Sequence, residues 1–133
     1  MKLNPGMKNV RDAIVRQEDT AEKAGSGMLS VYATPSMIAL MENTAYSCVG
    51  EYLDDGQTTV GTMINVRHVS ATPIGMRIGC EAELIEIDGK KLLFKVRAFD
   101  ECGLIGDGIH ERYIVTTEKF MSKTQGKRAK TDG

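Results

Sequence analysis

The stretch Thr34-Pro35-Ser36-Met37-Ile38-Ala39-Leu40-Met41-Glu42-Asn43-Thr44-Ala45-Tyr46-Ser47-Cys48-Val49-Gly50 decides the architecture. Threonine followed by proline is a helix-start signal: a Thr34 hydroxyl can cap, and Pro35 at the first helical position has no N–H to leave unsatisfied. From Met37 to Leu53 the apolar residues Met37, Ile38, Leu40, Met41, Ala45, Tyr46, Cys48, Val49, Tyr52 and Leu53 occupy more than one stripe. A helix apolar around most of its circumference is expected to be buried on most of its faces. Asp54-Asp55-Gly56 is expected to end it.

Beyond this helix the period changes to two. Val60, Thr62, Ile64, Val66 and His68 alternate with Gly61, Met63, Asn65, Arg67 and Val69, and the first set is expected to face the helix. Thr72-Pro73-Ile74-Gly75 reads as a turn, Met76 to Ile87 as a second long strand and Asp88-Gly89 as a hairpin. Lys91 to Phe99 follows, with Leu92, Phe94, Val96 and Ala98 on one face. After a turn at Asp100 to Gly103, Leu104 to Thr116 is the last strand, weakened by Gly106 and Gly108. Upstream, Val10 to Gln17 reads as a strand. Glu18 to Gly27 is polar, ends in Gly25-Ser26-Gly27, and suggests a mobile loop or lid. A strand, an apolar helix and four long strands with short turns make an α+β chain: one antiparallel sheet wrapped around one long helix, the hotdog architecture. The domain is expected over residues 1–120. Residues 121–133 carry Lys123, Lys127, Arg128 and Lys130 and read, with Lys119 before them, as a solvated, frayed basic tail. Weak attraction of cofactor phosphates is the other reading of these charges.

Composition narrows the function. The 133 residues suit one domain, and 41% are apolar, enough for a core. With 17 basic and 18 acidic side chains the net charge is −1, without the basic excess of a general nucleic-acid binder. Trp is absent and aromatics are few, which argues against a base-stacking platform. Met1 to Val10 is polar and lacks the apolar segment of a signal peptide. No run approaches the roughly 20 apolar residues of a membrane span. Cys48, Cys80 and Cys102 are odd in number and form no C-x-x-C pair, so reduced thiols in a cytoplasm are expected. His68 and His110 share no zinc spacing with them, so no metal is expected.

Five residues could carry chemistry. Glu42 is the sole charge between Thr34 and Gly50, in the middle of an apolar helix; such a carboxylate is paired, protonated or functional, or else lies on a narrow polar stripe with Asn43 and Ser47. His68 extends the alternating set thought to face that helix, where alone it reads as a core histidine. Thr34 reads first as an N-cap; the free N–H groups of Ser36 and Met37 at the same helix end could face a developing oxyanion. Gly61 interrupts a strand, as a bulge or as a point of close ligand approach. Arg112, near His110 and Glu111, reads as a surface ion pair or as a contact for a phosphate or carbonyl.

These motifs together resemble the fluoroacetyl-CoA thioesterase-like family of hotdog proteins. Ala33 to Glu42 resembles the start of that family's central helix. Val60-Gly61-Thr62 with Asn65-Val66-Arg67-His68 resembles its next strand, and Ala71-Thr72-Pro73 with Gly75 its turn. Gly106-Asp107-Gly108-Ile109-His110-Glu111-Arg112 is similar to its last strand and Glu118-Lys119-Phe120 to its C-terminal end, so the likeness spans about Leu29 to Lys123. The resemblance implies a hydrolase that converts a short-chain acyl-CoA to free acid and CoA. The coenzyme would be part of the substrate, and no other cofactor would be needed. The family's reactive threonine, glutamate and histidine fall on Thr34, Glu42 and His68, and its substrate-contacting glycine and arginine on Gly61 and Arg112. The fluoroacetyl-specific member carries bulky aromatics in a lid ahead of the helix. Ala24-Gly25-Ser26-Gly27-Met28 has none, which implies a broader acyl range.

Thr34 and Glu42, eight residues apart, lie about 12 Å apart along a helix axis and cannot easily touch within one chain. Hotdog folds generally place each site between two subunits, so a homodimer or a larger assembly is expected, with Thr34 of one chain meeting Glu42 of the other. Two other readings compete. A non-catalytic acyl-CoA-binding module would need Gly61 and Arg112 without Glu42, and a hotdog hydratase or dehydratase also sets a histidine and a carboxylate near a thioester.

Overall fold

A computed structural model describes residues 2–132. Strand β1 is Lys8–Ile14, beginning two residues before Val10 and ending three residues before Gln17, the bounds read from the sequence. The polar segment that follows is partly ordered: a 3-10 turn at Gln17–Asp19, then the one-turn helix α1, Ala21–Ala24. The Thr20 hydroxyl accepts from the Lys23 N–H to cap α1, and Gly25 ends it at φ 73°, a left-handed conformation that glycine adopts without steric penalty.

Helix α2 spans Thr34–Val49 and gives way to a 3-10 turn at Gly50–Tyr52, so it stops short of Leu53. Its N-cap is Ala33, not Thr34. Thr34 and Pro35 open the first turn, and the Thr34 hydroxyl makes no capping bond. The expectation of burial on most faces also fails. Met37, Met41, Thr44, Ala45, Cys48 and Val49 are buried, whereas Ala39, Asn43 and Tyr46 are exposed and Ile38, Leu40 and Glu42 are half-buried. The reason is geometric: one sheet covers one side of a helix, and the one sheet among the described residues leaves the far side open.

The sheet is antiparallel throughout, in the order β1-β3-β4-β5-β2, with β2 at Gln57–His68, β3 at Arg77–Asp88, β4 at Lys91–Asp100 and β5 at Gly103–Thr116. Leu92, Phe94, Val96 and Ala98 share the inner face as read, and all are fully buried. They close on Met37, Met41 and Ala45 of α2, with Ile78, Cys80, Ala82 and Leu84 of β3 and Ile105 and Ile114 of β5 completing the core. Gly106 and Gly108 do not break β5. A Cβ on Gly106 would overlap the Met37 side chain, and one on Gly108 would overlap Asn65 and Val66, so both absences let the last strand pack tightly.

The alternation read for β2 holds in only half of that strand. The ladder to β5 runs Gly61↔Arg112, then Met63↔Glu111, leaving Thr62 as a bulge. Residues opposite each other share a face. Thr59 and Gly61, opposite Ile114 and Arg112, therefore look inward, as do Ile64, Val66 and His68. Val60 and Thr62 do not; Thr62 is exposed and its hydroxyl donates to the Glu111 carboxylate at 2.6 Å.

The C-terminal segment is not frayed. Thr117–Asp132 forms helix α3, exposed along its length through Thr131. Among the described residues no helix is long and apolar enough to cross a membrane.

Candidate active site

The five candidates gather into two clusters within the chain. In the first, the start of α2 meets the end of β2: Thr34 Oγ1 lies 2.7 Å from His68 Nδ1. This bond is what replaces the capping role read for Thr34. The other ring nitrogen, Nε2, is buried with no hydrogen-bond partner among the described residues. Burial pushes the His68 pKa below its ordinary 6.5; the Ser70 backbone opposes this without meeting Nε2 in hydrogen-bond geometry. The imidazole is thus held neutral at pH 7, able to take a proton. Tyr32 stands edge-on to it, with ring centroids 6.4 Å apart.

A cleft of about 300 Å³ opens beside this pair, lined by Tyr32, Thr34, His68 and Ser70 together with Ala21 and Ser26. The polar segment between β1 and α2 therefore forms part of the wall beside this pair. Tyr32 also walls a second, apolar cleft of about 1130 Å³ that includes Ala13, Ile14, Ser36, Ala39 and Leu40. Of the two amides expected to face an oxyanion, that of Met37 is committed to Ala33 O at 3.0 Å, leaving Ser36.

The second cluster surrounds Gly61. A Cβ there would lie 3.0 Å from Glu42 Oε2, 3.3 Å from His110 Cε1 and 3.5 Å from Arg112 Nη1. Three side chains, one from α2 and two from β5, therefore converge on Gly61 of β2, whose missing side chain keeps the space between them open. Arg112 is buried, 8% exposed, and is no surface ion pair. Its Nε donates to Thr59 Oγ1 at 2.7 Å, Nη2 to Thr59 O at 2.9 Å and Nη1 to His110 Nε2 at 3.1 Å. The Tyr46 ring lies against the guanidinium, 5.8 Å from Cζ to centroid; burial lowers the Arg112 pKa from its ordinary value, and the Glu42 charge opposes this. A guanidinium has five N–H groups; three are used here, so two remain for a ligand.

His110 is the residue the sequence left without a role. It is 1% exposed, and Nδ1 lies 2.8 Å from Met63 O, which can only accept. Nδ1 therefore carries the proton and Nε2 is the acceptor that receives Arg112. Burial first, and then the Arg112 charge among smaller effects, keeps its pKa below 6.5. The signal was present in the sequence as His110-x-Arg112, a spacing that puts both side chains on one face of a strand. Thr59 and Tyr46 carried no such signal.

Among the described residues no group of three or more His, Cys, Asp or Glu side chains is placed to hold a metal ion. The three cysteines are free thiols, two of them buried. What the clusters offer is a carboxylate, a neutral imidazole, a hydroxyl and a held cation, the equipment of hydrolysis at a carbonyl.

A hotdog sheet around α2 with these groups defines a hotdog-fold thioester hydrolase. Residues 15–118 match the fluoroacetyl-CoA-specific thioesterase family. The chain belongs to that family. It is 39% identical over 97 residues to a fluoroacetyl-CoA thioesterase from Streptantibioticus cattleyicolor, covering 73% of this chain and 70% of that protein. A solved structure of a fluoroacetyl-CoA thioesterase superposes with a TM-score of 0.91 at 32% identity, covering 96% of this chain and 98% of that one. A thioesterase superfamily member from Thermus thermophilus superposes with a TM-score of 0.90 at 26% identity, covering 98% and 97%.

Proposed function

We propose that this chain hydrolyses short-chain acyl-CoA thioesters to the free acid and CoA, at a site assembled from Thr34 and His68 of one protomer and Glu42, Gly61 and Arg112 of a second. The observation that carries this reading is the division of the reactive groups into two clusters. Each is well formed, and about 12 Å of helix axis separates Thr34 from Glu42. Antiparallel pairing of two copies would bring one cluster of each against the other of its partner. The open side of α2 and the unpaired outer edge of β2 are the surfaces such a pairing would cover.

In the reaction the Glu42 carboxylate either attacks the thioester carbonyl, giving a mixed anhydride that water then cleaves, or takes a proton from the attacking water. In both routes the C–S bond breaks, the thiolate leaves with a proton, and one water is consumed. His68, neutral and hydrogen-bonded to Thr34, moves that proton. Gly61 admits the acyl group beside Glu42, and the two unused Arg112 N–H groups donate to a substrate oxygen. The aromatic-free lid at 24–28 favours a range of small acyl groups over fluoroacetyl alone.

Glu42→Ala tests the assignment. Glu42 is half-buried and, among the described residues, makes no hydrogen bond or salt bridge, so its loss should leave the fold intact. Thiol release from acetyl-, propionyl- and butyryl-CoA should fall by at least about 10³-fold, the scale of a lost nucleophile or base. Unchanged turnover would remove Glu42 from the chemistry. With enoyl-CoA, loss of the double bond without thiol release would favour a hydratase instead.

A further inference from the structure

We propose that His110 is a positioning residue: its neutral imidazole holds the Arg112 guanidinium so that the unused N–H of Nη1 faces the opening at Gly61. The inference rests on the reading of Arg112 as a substrate contact and adds the device that aims it. Arg112 comes from β5 and is buried, so its direction is set by its partners. Thr59 takes Nε and Nη2 along one edge. That leaves Nη1, the guanidinium nitrogen placed 3.5 Å from where a Gly61 Cβ would be. Nη1 is fixed by His110 Nε2 at 3.1 Å. The imidazole can accept this bond because Nδ1 carries its one proton, donated to Met63 O just past the bulge. Met63 therefore fixes the tautomer, His110 fixes Nη1, and Nη1 faces the substrate space. A doubly protonated ring would present a second N–H to the guanidinium and lose the contact.

Two conservative variants separate this role from a purely structural tie between β5 and β2. The amide of Asn occupies the Nδ1 position, so His110→Asn keeps the donor to Met63 O and loses the acceptor for Arg112. The amide of Gln reaches the Nε2 position, so His110→Gln keeps the acceptor and loses the donor. With acetyl-CoA, His110→Asn should raise KM about tenfold while kcat changes less than about threefold, and His110→Gln should stay within about twofold of the parent KM. The reverse order, or equal effects, would overturn the proposal. Arg112→Gln distinguishes it from the reading beneath it. If Arg112→Gln leaves KM unchanged, Arg112 is no substrate contact and both fall. If it raises KM while His110→Asn does not, only the His110 proposal falls. Should His110→Asn fail to fold, His110→Gln decides alone: a lowered Tm with KM retained supports the proposal, and a KM raised as far as in Arg112→Gln overturns it.

Discussion

At the residue scale, the site depends on two imidazoles kept uncharged. Burial is the leading cause for both His68 and His110, and it sets their folded pKa values below the 6.5 of an exposed histidine. Between each folded value and 6.5 the unfolded chain binds more protons than the folded one, so stability falls as pH falls. The contribution is fully present above about pH 6.5 and is lost as pH drops toward the folded values. Thermal unfolding followed from pH 8 to pH 5 should show Tm declining below about 6.5, and His110→Gln should flatten part of that decline. An equal slope in the two proteins would mean that His110 is not buried neutral. Residues were legible in the sequence to different depths. Glu42 was visible as the sole charge in an apolar helix, and His68 by its place on a strand. Read locally, Thr34 passes for an N-cap, because capping is a local rule whereas the Thr34 to His68 bond joins residues 34 positions apart. His110 was passed over because an imidazole shows its purpose only when both ring nitrogens have found their partners.

At the element scale, the strands and their turns followed from alternation and from Asp-Gly and Gly-containing turns, and the central helix from its Thr-Pro start. The miss on α2 has a plain cause: propensity is local and burial is not. The outer side of α2 looked buried because it is apolar, yet among the described residues no second sheet covers it. The basic C-terminal segment looked frayed, but residues such as Lys119, Lys123 and Lys127 are good helix formers and α3 follows directly from β5. Its exposed side chains predict a dispensable element. Removing residues 119–133 should leave Tm within a few degrees, as a surface change does. KM for acetyl-CoA should also hold within about twofold, since exposed lysines in salt attract phosphates weakly. A KM that rises several-fold, more so at low salt, would instead show that the cations of α3 attract the substrate's phosphates.

At the scale of the whole molecule, the candidate residues of one chain fall into two clusters, Thr34 with His68 and Glu42 with Gly61 and Arg112. Exposed Tyr46 on α2 and the free edge of β2 are surfaces that a second copy would use. Mixing tests the arrangement without a structure. Thr34→Ala and Glu42→Ala chains should each be inactive. Unfolded and refolded together, half of the dimers are mixed and each mixed dimer has one intact site of two, so about one quarter of the parent activity should return. No recovery would show that each chain's groups act within that chain. Neither composition nor periodicity could reveal this division; it follows from helix length, because Thr34 and Glu42 sit two turns apart on a rigid rod.

Gly61 and His68 are separated by an odd number of positions, and in an unbroken strand they would point to opposite sides of the sheet. The bulge at Thr62 adds one residue and makes the count even, which is why both look toward α2. The reading frame of the fold, in the sense of a tally of residues, thus decides which side of the sheet these two residues face. Exchanging Thr62 for another side chain alters little, since it faces water. Deleting it removes no group that touches the site, yet turns either the glycine or the histidine away from the helix. Along this segment, relatives can diverge in the letters at exposed positions while the number of letters stays fixed.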